Sequence, residues 1–510
     1  MEKKIIIIGA GIAGLSAGCY ARMNGYDAEI YEMHSLPGGL CTSWKKGVYT
    51  IDGCLHWLSG SAPKDSFYQI WKELGAIQGK RIYNHSEFYR FTGTDGRTFI
   101  LYTDADRLEK HMKELSPEDS ETTKLLCGLI RKFAGFRMPQ NKAFELFNFL
   151  DILKMIFKMR PYMKDMNFCN SISIGEFAGR FKDRLLREVF PITLVDNDMS
   201  LFAFVMTMAL LHNKAGGFPE GGSLEFAKGI EKRYLDLGGK IFYGKKVDKI
   251  LVTGGKASGI KLSKGEEIEG DYVISCADLN TTIHHMLDSK YIEPQHEDLF
   301  SNSKIFTSSV QVSFGVNMDF SNEPDCIAQI IKLNTPILIG NQKTDWFMVR
   351  NYSFDPSLAP AGKTVIESTF MVDDFDYWER LYENRTDYKA EKERIAGIVS
   401  DELEIKFPGF KSRIEVTDVL SPMTYVRYTG NYRGSYMTWV MTPELMKKHR
   451  MVKKTLPGLE NFWLSGMWIQ PPGGVPTGAK TSRDILQIIC RKDKKKFRAS
   501  TPPAAARLSP

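Results

Sequence analysis

Lys4-Ile5-Ile6-Ile7-Ile8-Gly9-Ala10-Gly11-Ile12-Ala13-Gly14 opens this chain, and Asp27-Ala28-Glu29-Ile30-Tyr31-Glu32 follows it. The isoleucine run predicts a strand buried on both faces of a parallel sheet. A helix is expected from about Ile12 to Asn24, stopped by Gly25, and then a second strand that ends in an acid. Each glycine has a task. Gly9 permits the tight turn, Gly11 lets backbone approach a pyrophosphate, and Gly14 lets helix pack closely on strand. The pyrophosphate would rest on the helix N-terminus at Ile12 and Ala13, where unpaired N–H groups and the dipole favour negative charge. Glu32 is spaced to accept hydrogen bonds from ribose hydroxyls, and its charge disfavours a 2′-phosphate.

Past Glu32 stands Pro37-Gly38-Gly39-Leu40-Cys41, a second glycine cluster suited to a cofactor that continues beyond its pyrophosphate. This resembles the extended glycine signature of the glutathione-reductase-type flavoproteins, as does the aromatic and Asp-Gly turn at Tyr49-Thr50-Ile51-Asp52-Gly53. The resemblance implies FAD, with Gly38, Gly39 and Leu40 in its cradle. Near the other end, Phe462-Trp463-Leu464-Ser465-Gly466 reads as a strand ending in glycine. Gln470-Pro471-Pro472-Gly473-Gly474-Val475-Pro476 then leads into a helix. In the resembling proteins this segment faces the flavin, which adds Gly466, Gly474, Val475 and Pro476 to the expected site. The position matched by Val247 contacts adenine through its backbone there.

The whole order resembles the phytoene desaturase, carotenoid isomerase and retinol saturase family of FAD oxidoreductases. Pro219-Glu220-Gly221-Gly222-Ser223, Asp355-Pro356-Ser357-Leu358-Ala359-Pro360 and Pro472-Gly473-Gly474-Val475-Pro476 carry that likeness. It implies an α/β fold with a Rossmann-like FAD-binding domain built from residues 1–75, 215–285 and 455–490. An inserted α+β substrate domain would take 76–214 and 286–454, and residues 491–510 would form a basic, disordered tail. Ile469-Gln470-Pro471 departs from the family, which often has Thr near the start of the terminal motif. Gly53-Cys54-Leu55-His56-Trp57 has a histidine closer to the saturases than to the desaturases, which leans toward reduction or isomerisation.

Flavin chemistry passes hydride between N5 and a substrate carbon, and the protein positions and shields the two. The expected activity is therefore saturation, desaturation or isomerisation of carbon–carbon bonds in a lipophilic polyene. His56 is the candidate proton donor or acceptor, since its pKa lies near working pH. Two other readings stay open: a flavin amine-oxidase or porphyrinogen-oxidase-like enzyme on the same scaffold, and a non-catalytic FAD-binding scaffold.

Composition bounds the remaining classes. The 510 residues suffice for two domains, and 43% hydrophobic with 25% charged residues is ordinary for a folded protein. A net charge of +7 sits largely in Arg491-Lys492-Asp493-Lys494-Lys495-Lys496, and nothing else points to nucleic acid. The eight cysteines are scattered without a Cys-x-x-Cys pair, as expected of reduced thiols in a cytoplasmic protein. No metal site is expected, because His284-His285 lacks further ligands at metal spacing. Phe144–Met159 is greasy but broken by Asp151, Lys154 and Lys158, so it does not span a bilayer. As an amphipathic, basic, aromatic helix it could either lie on the inner face of a membrane or pack on its own domain.

Overall fold

A computed structural model of the chain describes residues 2–194, 196–448 and 452–503. The strand Lys4–Ile8 (β1) lies inside a five-stranded parallel sheet, where Ile5, Ile6 and Ile7 are fully buried. Burial on both faces is the reason an unbroken β-branched run is needed here. The helix Ile12–Met23 (α1) follows, then the strand Asp27–Tyr31 (β2), which pairs with β1 in parallel. The sheet order is Lys240–Phe242, β2, β1, Tyr272–Ser275 and Phe462–Leu464. Its strands thus come from three separated stretches of chain.

Two antiparallel strands, Ser43–Lys46 (β3) and Tyr49–Asp52 (β4), form a hairpin beside this layer. A second, seven-stranded sheet holds Ile414–Leu420, Ser308–Val316, Thr364–Val372, Gln342–Asn351, Cys326–Ile339, Glu87–Thr92 and Thr98–Tyr102 in that order. Helices between residues 105 and 212 bury one apolar cluster with its Glu87–Tyr102 end. The helix Arg385–Lys406 buries another against Ser308–Val316 and its neighbours.

Buried carboxylates tie the layers together. Asp52 accepts hydrogen bonds from the Ser223 N–H (2.6 Å), the Ser223 hydroxyl (2.6 Å) and the Cys54 and Leu55 N–H groups. Asp355 accepts from the Gly221 N–H at 2.9 Å. The motifs at 219–223 and 355–360 therefore meet, which gives both a physical reason to be present.

The tail corrects the sequence reading. Residues 493–503, expected to be solvated and disordered, lie against the parallel-sheet layer. Asp493 accepts from Lys3 (2.6 Å), Tyr272 (2.6 Å) and Tyr26 (3.0 Å), and Phe497 packs on Tyr20 at 5.8 Å. Arg498 and Asn24 exchange two hydrogen bonds. One acid and one aromatic, hidden among lysines, supply the anchors that a charge count misses. Ala504 onward lies outside the described residues.

Candidate active site

Gly9 has φ +94°, so the chain can leave β1 and turn at once into α1. A Cβ on Gly14 would lie 1.8 Å from the Gly9 carbonyl oxygen, so only glycine lets this helix sit on its strand. At Gly11 the same test finds only the Gly38 carbonyl, at 3.9 Å. Its open side faces a cavity of about 930 Å³.

That cavity brings most of the expected residues together. Gly9, Gly11, Ile12 and Ala13 line it with Glu32, and Gly38, Gly39 and Leu40 close the next side. Val247, Gly466, Gly474 and Val475 complete the rim. Gly14 and Pro476 do not line it. Gly14 works in helix-on-strand packing, and Pro476 occupies the first turn of the helix Val475–Lys492. His56 is also outside the lining, two residues beyond Cys54, which is inside it.

The helix ends explain what the cavity can hold. Neither α1 nor Val475–Lys492 has a side-chain cap or an acid in its first turn, and both N-termini open on the same space. The unpaired N–H groups and dipoles of both helices therefore favour an anion or an electron-rich ring there. Glu32 is nearly buried, and its carboxylate is fixed by the Ala10 N–H (2.6 Å) and the His34 N–H (2.8 Å). The oxygens keep further lone pairs for sugar hydroxyls. A dinucleotide with ribose, pyrophosphate and an extended ring system fits this donor and acceptor set.

Opposite the helix ends, Leu420, Met423, Tyr425, Tyr436, Met467 and Trp468 make an apolar, aromatic wall. The Tyr425 hydroxyl stands 3.0 Å from the Ser309 hydroxyl, and burial pushes its phenol up to about 12, so it stays protonated. Behind this wall lies a polar cluster that sequence reasoning missed. Arg350 donates to Glu367 (2.8 Å) and to Thr369 (2.8 Å), and Tyr352 donates to Glu367 at 3.3 Å. Arg350 is 6% exposed and Glu367 is 1% exposed, with the His56 imidazole 3.7 Å from the Glu367 carboxylate. Burial, helped by the Arg350 charge, pulls the His56 imidazole below its ordinary value. Burial alone would raise Glu367, but the His56 and Arg350 contacts outweigh it and leave the carboxyl below its usual range. Glu367, the one charged residue in the apolar strand Thr364–Val372, was the available sequence signal; Arg350 shares Gln342–Asn351 with Lys343 and Asp345 and did not stand out.

A family model described as flavin containing amine oxidoreductase matches residues 12–486. The chain belongs to that family. Its cofactor is accordingly FAD, and the cavity's residues fit one. Among curated relatives of this flavoprotein is the chloroplastic prolycopene isomerase of Daucus carota, 24% identical over 85% of this chain and 72% of the relative. The lycopene-forming phytoene desaturase of Pseudescherichia vulneris is 22% identical over 96% of this chain and 99% of the relative. Among solved structures, cyclohexylamine oxidase from Brevibacterium oxydans superposes with a TM-score of 0.62 at 12% identity, covering 97% of this chain and 100% of that one. That likeness is one of fold.

Proposed function

We propose that this flavoprotein saturates, desaturates or isomerises carbon–carbon bonds of a lipophilic polyene or isoprenoid of the carotenoid or retinoid type. The observation that carries the reading is the continuity of one cavity from the two helix N-termini to the wall of Tyr425, Tyr436, Met423 and Trp468. Flavin, when bound, supplies hydride transfer at a substrate carbon. The apolar wall then holds a long unsaturated chain beside the ring and excludes water. The relatives named prolycopene isomerase and phytoene desaturase support the same substrate class.

The chain's own residues supply proton control. His56, outside the lining but 3.7 Å from the Glu367 carboxylate, is kept neutral by burial and is the proton acceptor of this reading. The Tyr425 phenol is a proton donor that already faces the cavity.

Substrate delivery involves a membrane surface in this reading. No helix among the described residues is long and apolar enough to cross a bilayer. The helix Phe149–Met159 instead leaves Phe149 (72% exposed), Phe157 (69% exposed), Leu150, Ile152 and Ile156 in solvent, with none of its residues buried. Its acids are already neutralised, Glu145 nearby by Lys454 and Asp151 by Lys142, while Lys154 and Lys158 stay on the same helix. That combination suits the anionic, cytoplasmic face of a bilayer, where polyenes dissolve.

The test is a substrate panel with holoprotein on anionic vesicles. Carotenoids and retinoids should change in mass by two hydrogens or in double-bond geometry, with amines left intact. Peroxide release with an amine, and no change in any polyene, would overturn the reading in favour of an amine oxidase.

A further inference from the structure

Cys41 and Cys54 both line the flavin cavity, thirteen residues apart in sequence. The hairpin brings them together. β3 and β4 pair Ser43 with Asp52, and the Gly53 N–H donates to the Thr42 carbonyl at 3.0 Å. Cys41 and Cys54 flank this last hydrogen bond, just past the paired strands, and both face the cavity. The Thr42 N–H turns away to the Leu40 carbonyl, so the ladder ends at this bond and the chain on either side of it bends. Disulfides form across Cα separations of roughly 4.4–6.8 Å. The two thiols interact directly, and that contact and then burial push the Cys41 thiol up. Cys41 is 3% exposed with its sulfur 3.6 Å from the Ser223 carbonyl, whereas Cys54 is partly accessible. One sulfur is thus reachable and the other is sheltered.

We propose that Cys41 and Cys54 are a redox couple that exchanges electrons with the bound flavin. An S–S bond forms between the two Sγ atoms and both S–H bonds break. The two electrons and two protons released reduce the oxidised flavin. An external dithiol resets the pair by exchange: it attacks at Cys54, the Cys41–Cys54 bond opens to two thiols, and the donor leaves as its own disulfide. This route delivers electrons to the flavin without a nicotinamide site. It depends on flavin binding and not on the polyene reading.

Two measurements test it on the intact holoprotein. Mild oxidation of native protein with glutathione disulfide, followed by alkylation and peptide mass mapping, should recover a Cys41–Cys54 linked peptide, while buried Cys127 and Cys169 remain thiols. Anaerobic dithiothreitol should bleach the flavin at least ten times faster in the wild type than in Cys54→Ser, at equal flavin content. Cys41→Ser provides the second variant should Cys54→Ser lose flavin. Absence of the linked peptide, or bleaching that neither substitution slows, would overturn the couple and leave a packed thiol pair.

Discussion

Gly11 and Gly14 stand three residues apart in the first turn of one helix and make opposite demands. Valine at Gly11 meets almost no protein atom but fills the space of the pyrophosphate, so Gly11→Val should fold normally and purify without colour. Full flavin content in that variant would misplace the cofactor. Gly14→Ala gains about 1 kcal/mol of helix propensity but drives its Cβ into the Gly9 carbonyl, an overpacking cost of about 3 kcal/mol or more. The clash wins, and denaturant unfolding should show a net loss. Asp52 offers a pH test. Burial pushes its carboxyl up to about 6 against the hydrogen bonds of Ser223 and Cys54, from an ordinary value of 3.8. Its folded pKa is raised, so its stabilisation is complete below pH 3.8 and is lost as pH climbs through about 6, in all about 3 kcal/mol. The stability advantage of the wild type over Asp52→Asn should therefore shrink across that window and level off above it; an advantage that grows with pH would refute the assignment. His56→Ala should keep FAD and lose turnover by roughly 10²-fold or more, the usual worth of a positioned proton-transfer group. Unchanged turnover returns His56 to structural duty beside Glu367.

Among elements, the strand, turn and helix around Gly9–Gly14 were legible because three independent signals coincide: β-branched burial, glycine spacing and a terminal acid. The helix Phe149–Met159 was only half legible. Its periodicity gave the helix, but whether its apolar face meets protein or solvent is a tertiary fact. Exposure on that face predicts vesicle binding. Phe149→Ser with Phe157→Ser should abolish flotation with anionic liposomes while leaving the unfolding midpoint unchanged, since neither ring is buried. Equal flotation of the double variant would remove the membrane from the account. The Asp493–Thr501 segment escaped notice for a related reason. Asp493 meets Lys3, Tyr26 and Tyr272, partners some hundreds of residues away that no local pattern announces.

At the scale of the molecule, a parallel sheet drawn from three stretches meets a seven-stranded sheet, and the cavity lies where residues of both layers converge. The glycines that line the cavity were legible because close backbone approach needs glycine, a requirement written in the sequence. Arg350 and Glu367 were not, because a buried ion pair is defined only once two strands pair, here Arg350 opposite Glu367. In the proposed reaction, flavin acts on a polyene held against the wall of Tyr425 and Tyr436. A single-turnover mixing experiment decides it: holoprotein with flavin oxidised in one arm and chemically reduced in the other, each mixed with a carotenoid without oxygen and followed by flavin absorbance and product mass. The polyene should be converted in one arm, with reduced flavin reoxidised one-for-one if a double bond is saturated, oxidised flavin reduced one-for-one if one is introduced, and the flavin unchanged if only double-bond geometry alters. A polyene recovered unaltered from flavin-replete protein in both arms, across carotenoid and retinoid substrates alike, would overturn the reading.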